Sequence, residues 1–376
     1  MQSSEKPEKP SSIAAPKLCV YAIALNERKF VDRFMAACKG ADLVVVCDTG
    51  STDGTAERLR ELGATVHEII QKPWRFDIPR NKSLDLIPSD FDLCLCLDLD
   101  EVVQPGWREI LTDLWRQHGG RINRVSYDFV WSWHADGTQE VRFNSDKIHS
   151  RQGYHWRHPC HEALYWRGEG EPVHVYAPGL QIQHHPDPTK SRAQYFPLLK
   201  MAVDEEPQND RMRHYYAREL MYVGRHAEAI EEFKIHLALP TAQWKEERAA
   251  SWRYISRCER SLDRKAEALT SAIQGALEWP HTREPWLEAA RAAYHAEDWP
   301  SCYWAAIKCL AIAQRTGSYM GSSDCWGSEP YDLAALGAYN TGLFTQALEL
   351  GLKAVALSPA DERLQRNVAF YRDKAA

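Results

Sequence analysis

The stretch Leu93-Cys94-Leu95-Cys96-Leu97-Asp98-Leu99-Asp100-Glu101 decides how the first half of the chain is read. An unbroken apolar run drives straight into acids. A run apolar on both alternating faces is expected of a strand covered on both sides by helices, as in a parallel sheet. The acids then fall at the strand's carboxyl end, where open α/β sheets bind ligands. Two readings stand here: the wet end of a strand, or a holder for something positive. Asp98 and Asp100 sit at i and i+2, so on an extended chain they point the same way. Adjacent carboxylates in a partly dry crevice repel each other unless a cation joins them. A hard ion such as Mg²⁺ or Mn²⁺ takes oxygen ligands and often combines carboxylates with phosphate oxygens. Glu101 either supports the other two acids from behind or is simply solvated, and solvation is the expectation.

Around this stretch, short apolar runs alternate with helical patterns. Residues 18–25, 42–48, 64–70 and 92–98 read as buried strands bounded by turn or polar signals. Amphipathic stretches lie near 28–39, 53–62 and 79–87, and further strands are expected near 123–133 and 173–183. Strand and helix in alternation imply an α/β domain with a mainly parallel, Rossmann-like sheet. After about Pro186 strand-like runs vanish. "GRHAEAIEEFKIHL" (224–237), "RKAEALTSAIQGAL" (264–277), "DWPSCYWAAIKCL" (298–310) and "GLFTQALELGLKAVALSP" (342–359) share a pattern. Aligning Ala229, Ala268, Cys302 and Ala347 gives steps of 39, 34 and 45 residues. Small residues at those points let two helices pack closely. This half resembles tetratricopeptide repeats with insertions. Most of its tryptophans are expected to fill the spaces between helices.

The chain has 376 residues, and a single core rarely exceeds about 300 residues, so two domains are expected. The expected division is a disordered tail over 1–16, an α/β domain over 17–188 and an all-α repeat domain over 189–376. The leading segment is polar and proline-bearing, without the apolar core of a signal peptide. The net charge of −6 offers no general attraction for nucleic acid or anionic membrane. No run of ~18 apolar residues occurs, so no membrane span is predicted. The ten cysteines lack framework or CxxC spacing and read as reduced, buried thiols, which suits a cytoplasmic protein.

Other strands also end in polar residues. The first ends at Asn26-Glu27 and the second runs into "DTGSTDGT" (48–55). Gly50 allows a tight turn there, and Ser51 or Thr52 can cap a helix starting near Asp53. This stretch is either an ordinary strand–turn–helix link or a place where Asp48 accepts hydrogen bonds from a base or ribose. "LNE", "DTGSTDGT", "RNKS" (80–83) and "LDLDE" follow one another in that order. Together they resemble family 2 glycosyltransferases of the GT-A fold, over about Lys17 to His185. The helical tail resembles the members of that family that carry tetratricopeptide repeats.

The resemblance implies a metal-dependent transferase that moves a sugar from a nucleotide-diphosphate sugar to an acceptor, with inversion. It implies nucleotide contacts from Asn26, Glu27 and Asp48, with Ser51 and Asp53 nearby. Thr49 stands where many members carry a second acid, which blurs the choice of base. Arg80 and Asn81 are expected near the nucleotide, although Arg80 could equally pair with a structural acid. Asp98 is expected to face ribose or metal and Asp100 to bind the metal. In "GYHWRHPCHEAL" (153–164), Glu162 is the candidate catalytic base and Trp156 either stacks on the sugar or fills core. Asp128 and Asp136 are weaker base candidates. At the end of "LQIQHHPDP" (180–188), His184 is favoured over His185 as a metal ligand. A histidine ligand tilts the expected ion toward Mn²⁺ over Mg²⁺.

Other classes fare worse. Zinc pairs on a helix sit at i and i+4, which "HPCHE" (158–162) does not match. A dinucleotide oxidoreductase wants GxGxxG after the first strand, and "LNERKF" has no glycine. A repeat scaffold with a degenerate transferase domain is the chief alternative. The expected acceptor is a polypeptide or a saccharide; a modified nucleic-acid base is disfavoured by the acidic charge. Homo-oligomers through the repeats are a further expectation.

Overall fold

A computed structural model describes residues 13–190 and 193–375. The chain forms two compact units that divide after Lys190. Most of the expected N-terminal tail lies outside the described residues.

The first unit contains β1 (Leu18–Ala24), α1 (Val31–Ala37), β2 (Leu43–Asp48), α2 (Thr55–Glu61), β3 (Thr65–Glu68), α3 (Asp77–Asp85), β4 (Leu93–Cys96), β5 (Glu101–Val103), α4 (Trp107–Gln117), β6 (Arg124–Trp133), β7 (Gln139–Ser150), β8 (Tyr154–Arg157), β9 (Ala163–Trp166) and β10 (His174–His184). An eight-stranded sheet has the order β3-β2-β1-β4-β7-β6-β10-β5, and β8 pairs with β9 separately. The β3-β2-β1-β4 half is parallel throughout. Beyond it the sheet is mixed, because β7 and β5 run antiparallel to their neighbours.

Both sides of the parallel half are buried, as the apolar runs demand. Leu93, Leu95 and Leu97 join Leu18, Val20 and Phe34 in one core layer. Cys94 and Cys96 join Cys19, Tyr21 and Leu84 in another. All ten cysteines are buried, and none is in a disulfide. The ladder of β4 stops at Cys96, two residues short of the expected end. Residues 97–100 leave the sheet, and Glu101 N–H donates back to the Asp98 carbonyl at 2.9 Å. Glu101 then opens β5 and is only 3% exposed. The expectation of a solvated Glu101 is therefore wrong: β5 turns the third acid inward.

The second unit is all helical: α5 (Tyr195–Glu205), α6 (Asp210–Tyr222), α7 (His226–Ala238), α8 (Lys245–Ser261), α9 (Lys265–Glu278), α10 (Arg283–His295), α11 (Trp299–Leu310), α12 (Glu329–Asn340), α13 (Phe344–Leu357) and α14 (Glu362–Ala375). Each helix packs on the next in a tetratricopeptide-like stack. The small residues Ala229, Ala268, Cys302 and Ala347 are fully buried near the starts of α7, α9, α11 and α13. The long 45-residue step holds the segment between α11 and α12, with a short 3₁₀ turn at Ser323–Trp326. Close approach is enforced at Gly337, where an added Cβ would meet the Tyr303 backbone nitrogen at 2.6 Å. The tryptophans of this unit follow a graded pattern. Trp286 is buried, but Trp244 and Trp304 are exposed and the rest lie between.

Candidate active site

The first two strand ends are stitched together by side chains. Asn26 adopts φ 54°, a left-handed conformation that asparagine tolerates better than most residues. Its N–H donates to Ser51 Oγ, and its Oδ1 accepts from Thr52 N–H, both at 2.8 Å. Glu27 N–H donates to Thr55 Oγ1 at 2.8 Å and Arg28 N–H to Asp53 Oδ2 at 3.1 Å. Ser51 is thus engaged across the strand ends rather than capping α2, where Asp53 Oδ1 accepts from Thr55 N–H at 3.0 Å. Asp48 is 2% exposed. Its Oδ1 accepts from Gly50 and Ser51 N–H, at 3.0 and 2.8 Å, while Oδ2 is buried without a partner. Leaving a buried acceptor unmet costs about 1–3 kcal/mol, so a ligand donor there would be favourable. Glu27 has the same character. Lys190 pairs with its Oε1, and its buried Oε2 has no partner. Burial pushes the Glu27 carboxyl up, against the pull of Lys190, and the charges of Asp100 and Asp98 push the same way.

Arg80, on α3, is the hub of the site. Its Nη2 donates to Asp98 Oδ1 at 2.8 Å, its Nε to Glu162 Oε1, and its guanidinium lies 5.3 Å from the Trp156 ring centre. Arg80 thus pairs with two acids, both of them candidate site residues. Asn81 clamps β8 to α3: its Nδ2 donates to the Trp156 carbonyl at 2.9 Å, and Trp156 N–H returns to Oδ1 at 2.8 Å. Trp156 is buried, and its Nε1 donates to Tyr21 Oη at 2.8 Å. The Glu162 turn carries two non-glycine residues at positive φ, His158 at 84° and His161 at 48°. Such backbone strain concentrates where a side chain must be aimed. Asp128 is buried against Arg142, and Asp136 closes an exposed turn onto Thr138.

The two aspartates of the motif part ways, because the chain between them turns. Asp98 meets Arg80 and also Lys147 Nζ, at 3.2 Å; Lys147 binds Glu101 Oε1 at 2.7 Å. Burial works against the charged form of Asp98, but Arg80 and Lys147 outweigh it and hold the carboxyl well below its usual range. Asp100 instead faces His184, with Oδ2 3.5 Å from Nε2. His184 Nδ1 lies 3.2 Å from the Trp131 carbonyl and must be the protonated nitrogen to donate there. In the neutral ring that leaves Nε2 turned to Asp100 with a lone pair, and although burial disfavours the charged ring, Asp100 raises the His184 pKa. His185 lies elsewhere, stacked on Trp133 with ring centres 5.4 Å apart.

An imidazole lone pair facing a carboxylate calls for a proton or a metal ion between them. A carboxylate oxygen and an imidazole nitrogen so placed are a donor pair of the kind that divalent ions take. Among the described residues no third ligand completes a compact cluster here.

Sequence reasoning missed Lys147, because β7 was not foreseen. It also missed the aromatic wall, although Trp131 and Trp133 alternate on β6 and share a face by strand periodicity. Trp131 is exposed and stacks on His184 at 4.5 Å.

No curated protein is similar to the chain in sequence. The helical half is similar to solved structures of repeat proteins. MamA is 15% identical, with a TM-score of 0.36, covering 45% of this chain and 89% of that one. YrrB, described as a TPR protein with an unusual peptide-binding site, is 11% identical at a TM-score of 0.39, covering 46% and 81%. A tetratricopeptide repeat protein from Parabacteroides merdae is 14% identical at 0.37, covering 49% and 66%. The pattern of glycosyl transferase family 2 matches residues 19–179, which hold every strand-end acid described above and the sheet as far as the middle of β10. Residues 19–179 of this chain are therefore a glycosyl transferase family 2 domain.

Proposed function

We propose that this glycosyltransferase takes its sugar from a nucleoside-diphosphate donor with the help of a divalent ion, Mn²⁺ before Mg²⁺, and transfers it with inversion. The observation that carries the reading is the Asp100–His184 pair, with Nδ1 tied to a backbone carbonyl and Nε2 aimed at the carboxylate. A divalent ion held there would neutralise the diphosphate as it leaves. Asp48 Oδ2 and Glu27 Oε2 accept hydrogen bonds from the base or ribose, which relieves their unmet burial. Asn26, Ser51 and Asp53 hold the loop that presents them. Asp98 sets Arg80 and Lys147 in place rather than ligating the ion, and those two cations border the diphosphate. Glu162, gripped at Oε1 by Arg80, takes the acceptor's proton on its other oxygen. Trp156 and Asn81 act through Arg80 by fixing its stem and the β8 edge.

The acceptor is a polypeptide or a glycan, and the helical unit, bounded near 189–376, recruits it or pairs two copies. Among the described residues no helix is long and apolar enough to cross a membrane, and a cytoplasmic setting suits ten unpaired thiols. A thermal-shift screen of nucleotide sugars with and without Mn²⁺ tests the proposal. One donor should raise the melting temperature, and Mn²⁺ should enlarge the shift, by mass action on the folded state. Glu162→Gln should keep that shift and lose transfer. No shift with any donor would return the chain to the repeat-scaffold reading.

A further inference from the structure

We propose a second metal site, remote in sequence from the strand-end acids, at Asp210, His236 and Glu247 of the helical unit. It takes a borderline divalent transition ion, zinc foremost. One ligand atom from each residue lies within 4.8 Å of the other two. Asp210 opens α6, His236 ends α7 and Glu247 lies in the first turn of α8, so consecutive helices converge on one point. His236 is fully buried and Glu247 is 3% exposed.

The charge balance of the triad favours an ion. Two carboxylates face one imidazole, and His236 Nε2 reaches Glu247 Oε1 at 3.2 Å. Asp210 is partly buried, and a single N–H cannot serve both acids well. One imidazole nitrogen and two carboxylate oxygens make a three-ligand set of the kind that binds zinc with a fourth, open position.

The surroundings supply what a ligating histidine needs. Metal-bound imidazoles almost always have their other nitrogen held by a hydrogen bond. Here His236 Nδ1 lies 2.9 Å from Ser251 Oγ, and Ser251 Oγ lies 2.8 Å from His214 Nδ1. The hydroxyl can rotate. Without the ion it can donate to His236, leaving the proton on Nε2 for Glu247. With the ion it accepts from His236 Nδ1–H and donates to His214, which frees the Nε2 lone pair. Ion entry therefore needs a tautomer change at both histidines and a hydroxyl rotation, with the His214 proton moving to its buried Nε2 and no net proton released. The site would pin three helix ends and stiffen the start of the repeat stack.

The test uses the full chain carrying Asp100→Ala, which removes the proposed transferase ligand. The protein is stripped with chelator, titrated calorimetrically with ZnCl₂, and bound zinc is counted after gel filtration. One zinc per chain is expected, with a raised melting temperature. Adding Asp210→Asn and Glu247→Gln should abolish it while circular dichroism stays helical. Ser251→Ala should weaken it about 10–100-fold, the usual effect of removing such a support. No zinc bound to the Asp100→Ala chain, or equal binding after the triad substitutions, would overturn the proposal. Wild type binding one more ion than Asp100→Ala speaks to the transferase site alone, so the two readings fail separately.

Discussion

Glu288 and Asp98 are both carboxylates gripped by arginine, yet their surroundings are opposite in kind. Glu288, on α10, is fully buried and receives Arg260 at 2.6 Å, Arg257 at 3.1 Å and Arg291 at 3.8 Å. Arg291 continues to Asp324 and Glu329. Guanidinium groups and carboxylates match one for one, although Arg260 Nε is buried without a partner. At the strand ends, Glu27, Asp98, Asp100, Glu101 and Glu162 meet Arg80, Lys147, Lys190 and one imidazole. Acid remains in excess there, and two buried carboxylate oxygens, on Glu27 and Asp48, have no partner. A balanced cluster fastens helices. An unbalanced one is completed by something that binds, which is why perturbed groups gather at functional sites.

Three substitutions or conditions press on this contrast. Asp100→Ala removes the proposed metal ligand from the unbalanced cluster. It should cut Mn²⁺-dependent turnover of the donor on the order of a thousandfold, the scale of several kcal/mol of lost charge stabilisation. Its melting temperature should hold or rise, because repulsion falls. Nucleotide release and calorimetry on one preparation read both, and near-normal turnover would sink the metal role. Glu288→Gln should do the reverse. Unpairing buried guanidinium groups costs about 3–5 kcal/mol, so urea stability should drop while folded protein keeps its turnover. A neutral result would mean that the balanced cluster is no fastener.

The smallest effect concerns acid. His149, under the sheet, accepts from Tyr21 Oη at 2.6 Å and donates to the Ser150 carbonyl at 2.8 Å. Burial holds its pKa down at about 4; the Ser150 carbonyl opposes this, and Arg124 and Arg151 reinforce it. The folded protein keeps the ring neutral while the unfolded chain protonates near the ordinary value of 6.5. Stability is therefore full above about pH 6.5 and is lost as pH falls toward 4, by about 3 kcal/mol. His214 in the helical unit is also fully buried with a lowered pKa and adds the same sign. The Glu288 carboxyl is also held down, by its arginines against burial, and stays charged over that range. Urea midpoints at pH 7.5, 6 and 5 should fall in that order, with a shallower fall in His149→Gln.

Much of the fold was legible because it depends on local pattern. The runs at 18–25 and 42–48 could only be strands buried on both faces, and they are. The small residues that keep helices close announced the repeats. The antiparallel half was not legible. Lys147 and Asn144 interrupt the apolar alternation of β7, so its twelve residues do not look like a strand. Glu101 was misread because nothing local shows that a new strand starts there.

The sequence by itself determined which residues have chemistry to offer and which strand each one ends. It also determined that the chain changes from sheet to helix, since periodicity is written into neighbouring residues. Only the tertiary structure decided how the acids divide. Asp98 goes to Arg80 and Lys147 while Asp100 goes to His184, and those partners come from α3, β7 and β10. It also decided that His236, which no motif singled out, meets Asp210 and Glu247. Pairing of charges depends on distances across the fold, and residues far apart in sequence reveal those distances only once the backbone is in place.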